Sequence, residues 1–152
     1  MPSLNANARA RSATRAERYA RPLALALLDI DNFKLINDNH SHAVGDAVLI
    51  AVARCLRAAR RQSDVVARLG GEEMVMLLPE TTAGQAVAVC GGLRDRMHDA
   101  DWAAAGVTGP VTASVGIAVF RAGDTGASLL RRADAAMYVA KRAGKDRVML
   151  ES

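Results

Sequence analysis

LALALLDIDNFKLINDN, residues 23–39, is the stretch on which the fold turns. Leu23 to Ile30 is an apolar run interrupted only by Asp29, the pattern of a strand buried on both faces. Asn32 to Asn39 then reads as a short helix, so Asp29 stands where a buried strand gives way to a helix start. Downstream, Val48, Leu49, Val52 and Leu56 recur at helical spacing and predict a core-facing helix over Gly45–Arg60. Asp64–Leu69 and Glu73–Leu78 are short strand candidates split by Gly70-Gly71, a hairpin signal. Thr81 or Thr82 caps a helix running to about Met97, in which Gly91 and Gly92 each cost roughly 1 kcal/mol relative to Ala. Gly106–Pro110 is a loop, Val111–Phe120 a strand, Ala127–Ala143 a long helix stopped by Gly144, and Arg147–Leu150 a last strand. Upstream, the Ala- and Arg-rich segment from Ala6 to Tyr19 reads as a surface helix that breaks at Pro22. This order implies one α/β (α+β) domain with a central sheet flanked by helices.

Bulk properties narrow the function. The 152 residues are enough for one core and too few for two domains. With only five aromatics, Phe33, Phe120, Trp102, Tyr19 and Tyr138, the core must be built from Ala, Val and Leu, and platforms for stacking exposed bases are nearly absent, which argues against nucleic acid as a partner. The net charge of +4 is spread along the chain and suits a small phosphate-bearing ligand. Cys55 and Cys90 form no CxxC pair and read as reduced, buried thiols. No apolar run approaches the roughly 18 residues needed to cross a bilayer, and the start lacks a signal peptide's apolar stretch, so a soluble, cytoplasmic protein is expected.

Two segments carry the chemistry. A carboxylate at Asp29 can bind a hard cation, while backbone N–H groups at the following helix start can face phosphate oxygens. In Arg68-Leu69-Gly70-Gly71-Glu72-Glu73, the glycines permit positive φ and leave room for a ligand, and the paired acids can hold metal or take up a proton. If these segments lie on adjacent strands, Asp29, Glu72 and Glu73 converge on a site for the Mg²⁺ of nucleotidyl transfer.

Read in order, Asp29-Ile30-Asp31-Asn32-Phe33-Lys34-Leu35-Ile36-Asn37-Asp38, Gly45-Asp46, Gly70-Gly71-Glu72-Glu73-Met74, Ala140-Lys141 and Gly144-Lys145 closely resemble the GGDEF-domain diguanylate cyclase family over about Leu23–Leu150. The resemblance implies a mostly antiparallel five-stranded sheet like that of nucleotidyl cyclases and polymerase palms. It divides the chain into an N-terminal helix over residues 1–22 and a catalytic domain over 23–152. It implies condensation of two GTP into cyclic di-GMP, with Mg²⁺ or Mn²⁺ held by Asp29, the Ile30 carbonyl and Glu72. Glu73 would bind metal or help deprotonate the attacking hydroxyl. Asn37 and Asp46 would read the guanine edge, a carboxylate accepting from N1–H and N2–H₂. Asn32, Phe33, Lys34, Arg68, Lys141 and Lys145 would hold phosphates, with Lys145 standing where a forked arginine is common.

Arg61-Gln62-Ser63-Asp64, five residues before Gly70, resembles the family's inhibitory site for cyclic di-GMP. A helper arginine often found on the next helix is replaced by Gly92. Met74 stands where the signature has Phe, and should point into the core as an adaptable filler. His40 and His42 lack a third ligand nearby and read as structural or exposed. The family's D-x-L-T-x-L-x-N-R lead-in is not recognisable before Leu23, so a catalytic fragment or truncated form is expected. Since one site takes one GTP, catalysis implies at least a transient homodimer. The rival reading is a non-catalytic regulatory domain that binds GTP or cyclic di-GMP.

Overall fold

A computed structural model describes residues 21–152, and the helix expected over residues 6–19 lies outside them. In chain order the elements are β1 (Leu23–Ile30), α1 (Phe33–Asn39), α2 (His42–Ala59), β2 (Val65–Gly70), β3 (Glu73–Pro79), α3 (Ala83–Asp99), a 3₁₀ turn (Trp102–Ala105), β4 (Ala113–Val119), α4 (Gly126–Arg142) and β5 (Arg147–Leu150). The strands form one sheet in the order β2-β3-β1-β4-β5. Every neighbouring pair is antiparallel except β4 with β5. This is the α/β architecture, with a mostly antiparallel five-stranded sheet, that the sequence implies.

The unbroken apolar run of β1 follows from its central place, because both sheet faces are covered. Ala24, Ala26, Leu28 and Ile30 pack with Met74, Met76 and Leu78 of β3 beneath Val48, Val52 and Leu56 of α2 and Cys90, Leu93 and Met97 of α3. The alternate residues Leu23, Leu25 and Leu27 join Val75 and Leu77 of β3 beneath Leu129, Ala133 and Met137 of α4. Fully burying each of the larger side chains among them stabilises the fold by about 1.5–3 kcal/mol relative to exposure. Met74 lies on the α2–α3 side and is buried, as expected for a core filler. The period of two places position 29 on the α4 face, just beyond the apolar cluster. There α4 crosses β4 very closely. A Cβ on Gly116 would stand 2.1 Å from the Ala133 carbonyl oxygen and 2.2 Å from the Met137 nitrogen.

Local chemistry sets the helix ends. Ser41 caps α2 by accepting from the Val44 N–H at 3.2 Å, which starts the helix three positions before the expected Gly45. Thr82 rather than Thr81 caps α3, in a reciprocal box with Gln85. Thr125 and Ser128 do the same for α4. The 3₁₀ turn at Trp102 is an element the sequence reading missed, held by the indole N–H donating to the Met97 carbonyl at 2.8 Å. The β4 strand begins at Ala113 rather than Val111, because Thr112 turns its carbonyl and hydroxyl toward Asp31. Cys90 is buried, its thiol pushed up to about 12 by burial, whereas Cys55 is only half-buried, which corrects the expectation of two buried thiols. Among the described residues no helix is long and apolar enough to cross a membrane.

Candidate functional site

At the end of the sheet where the C-terminus of β1 and the start of β4 meet the end of α4, acids and cations collect. Asp29 sits between Glu73 of β3 and Ser114 of β4 in the strand register. The Ile30 N–H donates to the Glu72 carbonyl at 3.3 Å, so the hairpin turn is pinned to the end of β1. From the last turn of α4, Lys141 Nζ donates to Asp29 Oδ1 and Asp31 Oδ1, both at 3.0 Å. Lys145, just past the helix, donates to Asn32 Oδ1 at 2.6 Å. Asn32 itself is left-handed, at φ 58°, a conformation that Asn tolerates better than most residues.

Burial pushes the Asp29 carboxyl up, Lys141 partly offsets this, and the nearby Glu72 and Asp31 charges add to the rise. Burial likewise raises Glu73, helped by Asp29, Asp134 and Glu72 and opposed by Lys141. Glu73 borders a cleft of about 470 Å³ with Leu27, Leu69, Arg131 and Asp134. The three acids thus share one field. Among the described residues no group of three Asp, Glu, His or Cys side chains is by itself arranged to hold a metal ion. Asp29, Glu72 and the Ile30 carbonyl would offer hard oxygens of the kind that suit Mg²⁺ or Mn²⁺. The fit is supported by Lys141, whose ammonium already stands against Asp29 as a cation.

The signature glycines differ in role. Gly71 takes φ 47°, whereas Gly70 has no positive φ, and a Cβ on it would meet nothing within 4 Å. Only Gly71 meets the conformational demand expected of both. Arg68 Nε donates to the Gly71 carbonyl at 2.9 Å and so closes the hairpin. On the α1–α2 side, a Cβ at Gly45 would come within 1.9 Å of Asn37 Oδ1. This close approach sets Asn37 beside the first turn of α2, where Asp46 is exposed. Phe33 is half-buried against the core and Lys34 is exposed.

Arg61 and Asp64 lie before β2, at the opposite end of that strand from the hairpin. The buried Asp64 carboxylate accepts from the Arg61 N–H at 2.8 Å, from Nε at 3.1 Å and from the guanidinium NH2 at 2.9 Å, and that same NH2 reaches the Thr81 hydroxyl. Gly92 is exposed on α3, and the nearby Arg94 is paired with Asp146 instead. His40 is exposed and its Nδ1 lies 3.0 Å from the Ile36 carbonyl, in keeping with a structural role.

Asp31 received no role from sequence. Burial alone would raise its carboxyl, but hydrogen bonds from Ser114, Thr112, the Asp146 N–H and Lys141 outweigh this and hold it low. The signal available was the spacing itself, since Asp31 stands two positions beyond Asp29.

Comparison with known proteins gives the chain relatives over nearly its whole length. The family described as diguanylate cyclase, GGDEF domain, matches residues 5–147. The chain is 42% identical over 134 residues to the diguanylate cyclase DgcP of Pseudomonas aeruginosa, covering 88% of this chain and 20% of that protein. It is 37% identical to diguanylate cyclase A of Treponema denticola, covering 84% of this chain and 35% of that protein. It therefore spans a fifth to about a third of these relatives' lengths. Among solved structures, the active GGEEF domain of a Vibrio cholerae diguanylate cyclase superposes with a TM-score of 0.89 at 30% identity, covering 97% of this chain and 94% of that one. The GGDEF domain of Caulobacter crescentus DgcB, in complex with cyclic di-GMP, gives 0.89 at 32% identity, covering 97% and 91%.

Proposed function

The chain belongs to the GGDEF-domain diguanylate cyclase family, and from that premise we propose that residues 23–152 form a catalytic domain joining two GTP into cyclic di-GMP and two pyrophosphates. The observation that carries the proposal is Lys141 reaching Asp29 at 3.0 Å from a helix distant in sequence, which supports a corner where a cation for phosphates and an acid for metal would meet.

In this reading Asp29, the Ile30 carbonyl and Glu72 hold Mg²⁺ or Mn²⁺. The ion supplies charge neutralisation on the triphosphate and a more acidic hydroxyl. Lys141, Lys145, Lys34, Arg68 and the backbone at Asn32 and Phe33 hold phosphates. Asn37 and Asp46 select guanine, because adenine cannot offer the same donors. Glu73, with a raised carboxyl, either takes the hydroxyl proton or completes the metal set.

One domain carries one GTP, so two copies face each other. Each 3′-hydroxyl oxygen bonds to the other nucleotide's α-phosphorus, its proton leaves to a base, and the bond to pyrophosphate breaks. Arg61, already oriented by Thr81, and Asp64, to which it is paired, form an inhibitory site for the product. Without an arginine at Gly92 that site is weaker than one with a third partner.

Incubation with GTP and Mg²⁺ or Mn²⁺ over a range of protein concentrations, followed by nucleotide separation, tests the reading. Cyclic di-GMP should form with a rate per molecule that rises with concentration. GTP bound without turnover at every concentration would instead identify a regulatory domain.

A further inference from the structure

Asp31 is only 3% exposed, yet it is charged and lies at the corner where the proposed phosphate cations meet. A buried carboxylate is costly unless its acceptor sites are filled. Here both oxygens are doubly occupied. Oδ1 accepts from Ser114 Oγ at 2.7 Å and Lys141 Nζ at 3.0 Å, and Oδ2 accepts from Thr112 Oγ1 at 2.8 Å and the Asp146 N–H at 2.9 Å. The partners come from β4 and its lead-in, the end of α4 and the turn into β5.

That turn is not a relaxed one. Lys145 and Asp146 both have positive φ, at 63° and 47°, which non-glycine residues adopt only when held. Asp31 holds it from inside through the Asp146 N–H, and Arg94 and His98 of α3 hold it from outside through the Asp146 carboxylate. Lys145 lies within this turn, and its ammonium reaches back to Asn32, the neighbour of Asp31.

We propose that Asp31 is a positioning residue for the triphosphate. One of its oxygens fixes Lys141, the other fixes the turn that carries Lys145, and together they set where two ammonium groups meet the phosphates. Asp29 can exchange Lys141 for a metal ion without losing the lysine's placement, because Asp31 keeps a separate hold on it. The inference rests on the reading of the site as a GTP site, and it adds a residue that touches neither nucleotide nor metal.

A double-mutant cycle on the whole chain tests it, with affinity for a non-hydrolysable GTP analogue in Mg²⁺ as the readout and melting temperature as a parallel measure. Lys141→Ala and Asp31→Asn should each weaken binding by about tenfold, the usual worth of a charge-assisted contact. The double variant should be weaker than Lys141→Ala by clearly less than tenfold, because the part of Asp31's effect that runs through Lys141 is already lost and only the part carried by the Lys145 turn remains. A loss near one hundredfold, the product of two independent effects, would reduce Asp31 to a structural acid and overturn the proposal. Should Asp31→Asn fail to fold, Thr112→Val removes one donor to Oδ2 with little change of shape, and the same non-additivity with Lys141→Ala is required. Wild-type protein that binds no analogue sinks both this proposal and the GTP reading, whereas wild-type binding with an additive cycle sinks only this one.

Discussion

Replacing Gly116 by alanine should damage the site from a distance. The new Cβ would stand 2.1 Å from the Ala133 oxygen, 2.2 Å from the Met137 nitrogen and 2.8 Å from the Met137 Cα, all backbone atoms of α4 that cannot rotate away. Ordinary contact needs about 3.5 Å, so α4 must retreat from β4 by more than about 1 Å. Overpacking of this kind costs about 1–3 kcal/mol, which for a chain of this size lowers the melting temperature by about 3–10 °C. The same helix carries Lys141 to Asp29 and Asp31 at 3.0 Å, and a shift of that size stretches both contacts beyond hydrogen-bond range. Misplacement by about 1 Å can cost on the order of a hundredfold in rate. Thermal unfolding read beside GTP turnover at a temperature where the variant is fully folded separates the two effects. A variant that melts within 1 °C of wild type, or that melts lower yet turns over normally when folded, would refute the argument that α4 is seated by Gly116.

Lys141→Ala should tighten Mn²⁺ binding in the absence of nucleotide, because it removes the cation that already occupies Asp29, and titration followed by electron paramagnetic resonance would read the change; equal affinity would mean that the lysine and the metal do not compete. Gly45→Ala places a Cβ 1.9 Å from Asn37 Oδ1 and should displace the Asn37 side chain, raising KM for GTP several-fold with a smaller change in kcat and less discrimination against ATP. Asp124 supplies a pH test: burial would raise its carboxyl, but Ser128, the Arg121 N–H and Arg132 outweigh this and hold it below its ordinary value. Its stabilisation is therefore complete above about pH 4 and lost as the pH falls through the lower folded value. Asp124→Asn should flatten the acid limb of a stability-against-pH curve, and an unchanged limb would exclude Asp124 as its source.

Much of this architecture can be read from the chain because period and capping are local. The two-sided burial of β1 is written in Leu23 to Ile30, and the hairpin in Gly70-Gly71 between apolar strands. Boundaries moved where a side chain overrode the apolar pattern, as with Ser41 starting α2 early and Thr112 turning from β4 toward Asp31. The candidate site was legible as a set of residues but not as a geometry. Nothing local indicates that Lys141 bridges two aspartates 110 and 112 positions away, or that Arg68 spends its side chain on the Gly71 carbonyl. The role of Asp31 was hidden for the same reason, since its four donors come from residues far downstream.

The placement of the acids follows from one feature of β1. Its odd positions, Leu23, Leu25 and Leu27, face α4, and continuing that alternation past the apolar cluster delivers Asp29 to the end of the same helix. Glu73 arrives by the same rule from β3, where it precedes Val75 and Leu77 on that face and stands opposite Asp29. Had β1 paired one residue out of register, Asp29 would point beneath α2 and α3, and every core leucine of that face would turn over with it. Hydrophobic burial thus fixes the strand so firmly that the acids have no freedom of their own. Burial first, and the neighbouring acids second, raise the carboxyls of Asp29 and Glu73, and Lys141 offsets the rise only in part. A crowded set of carboxylates that cannot move apart favours any additional cation that reaches it, and in the proposed reading a divalent ion arriving with a triphosphate would answer the acids while the phosphates answer the lysines.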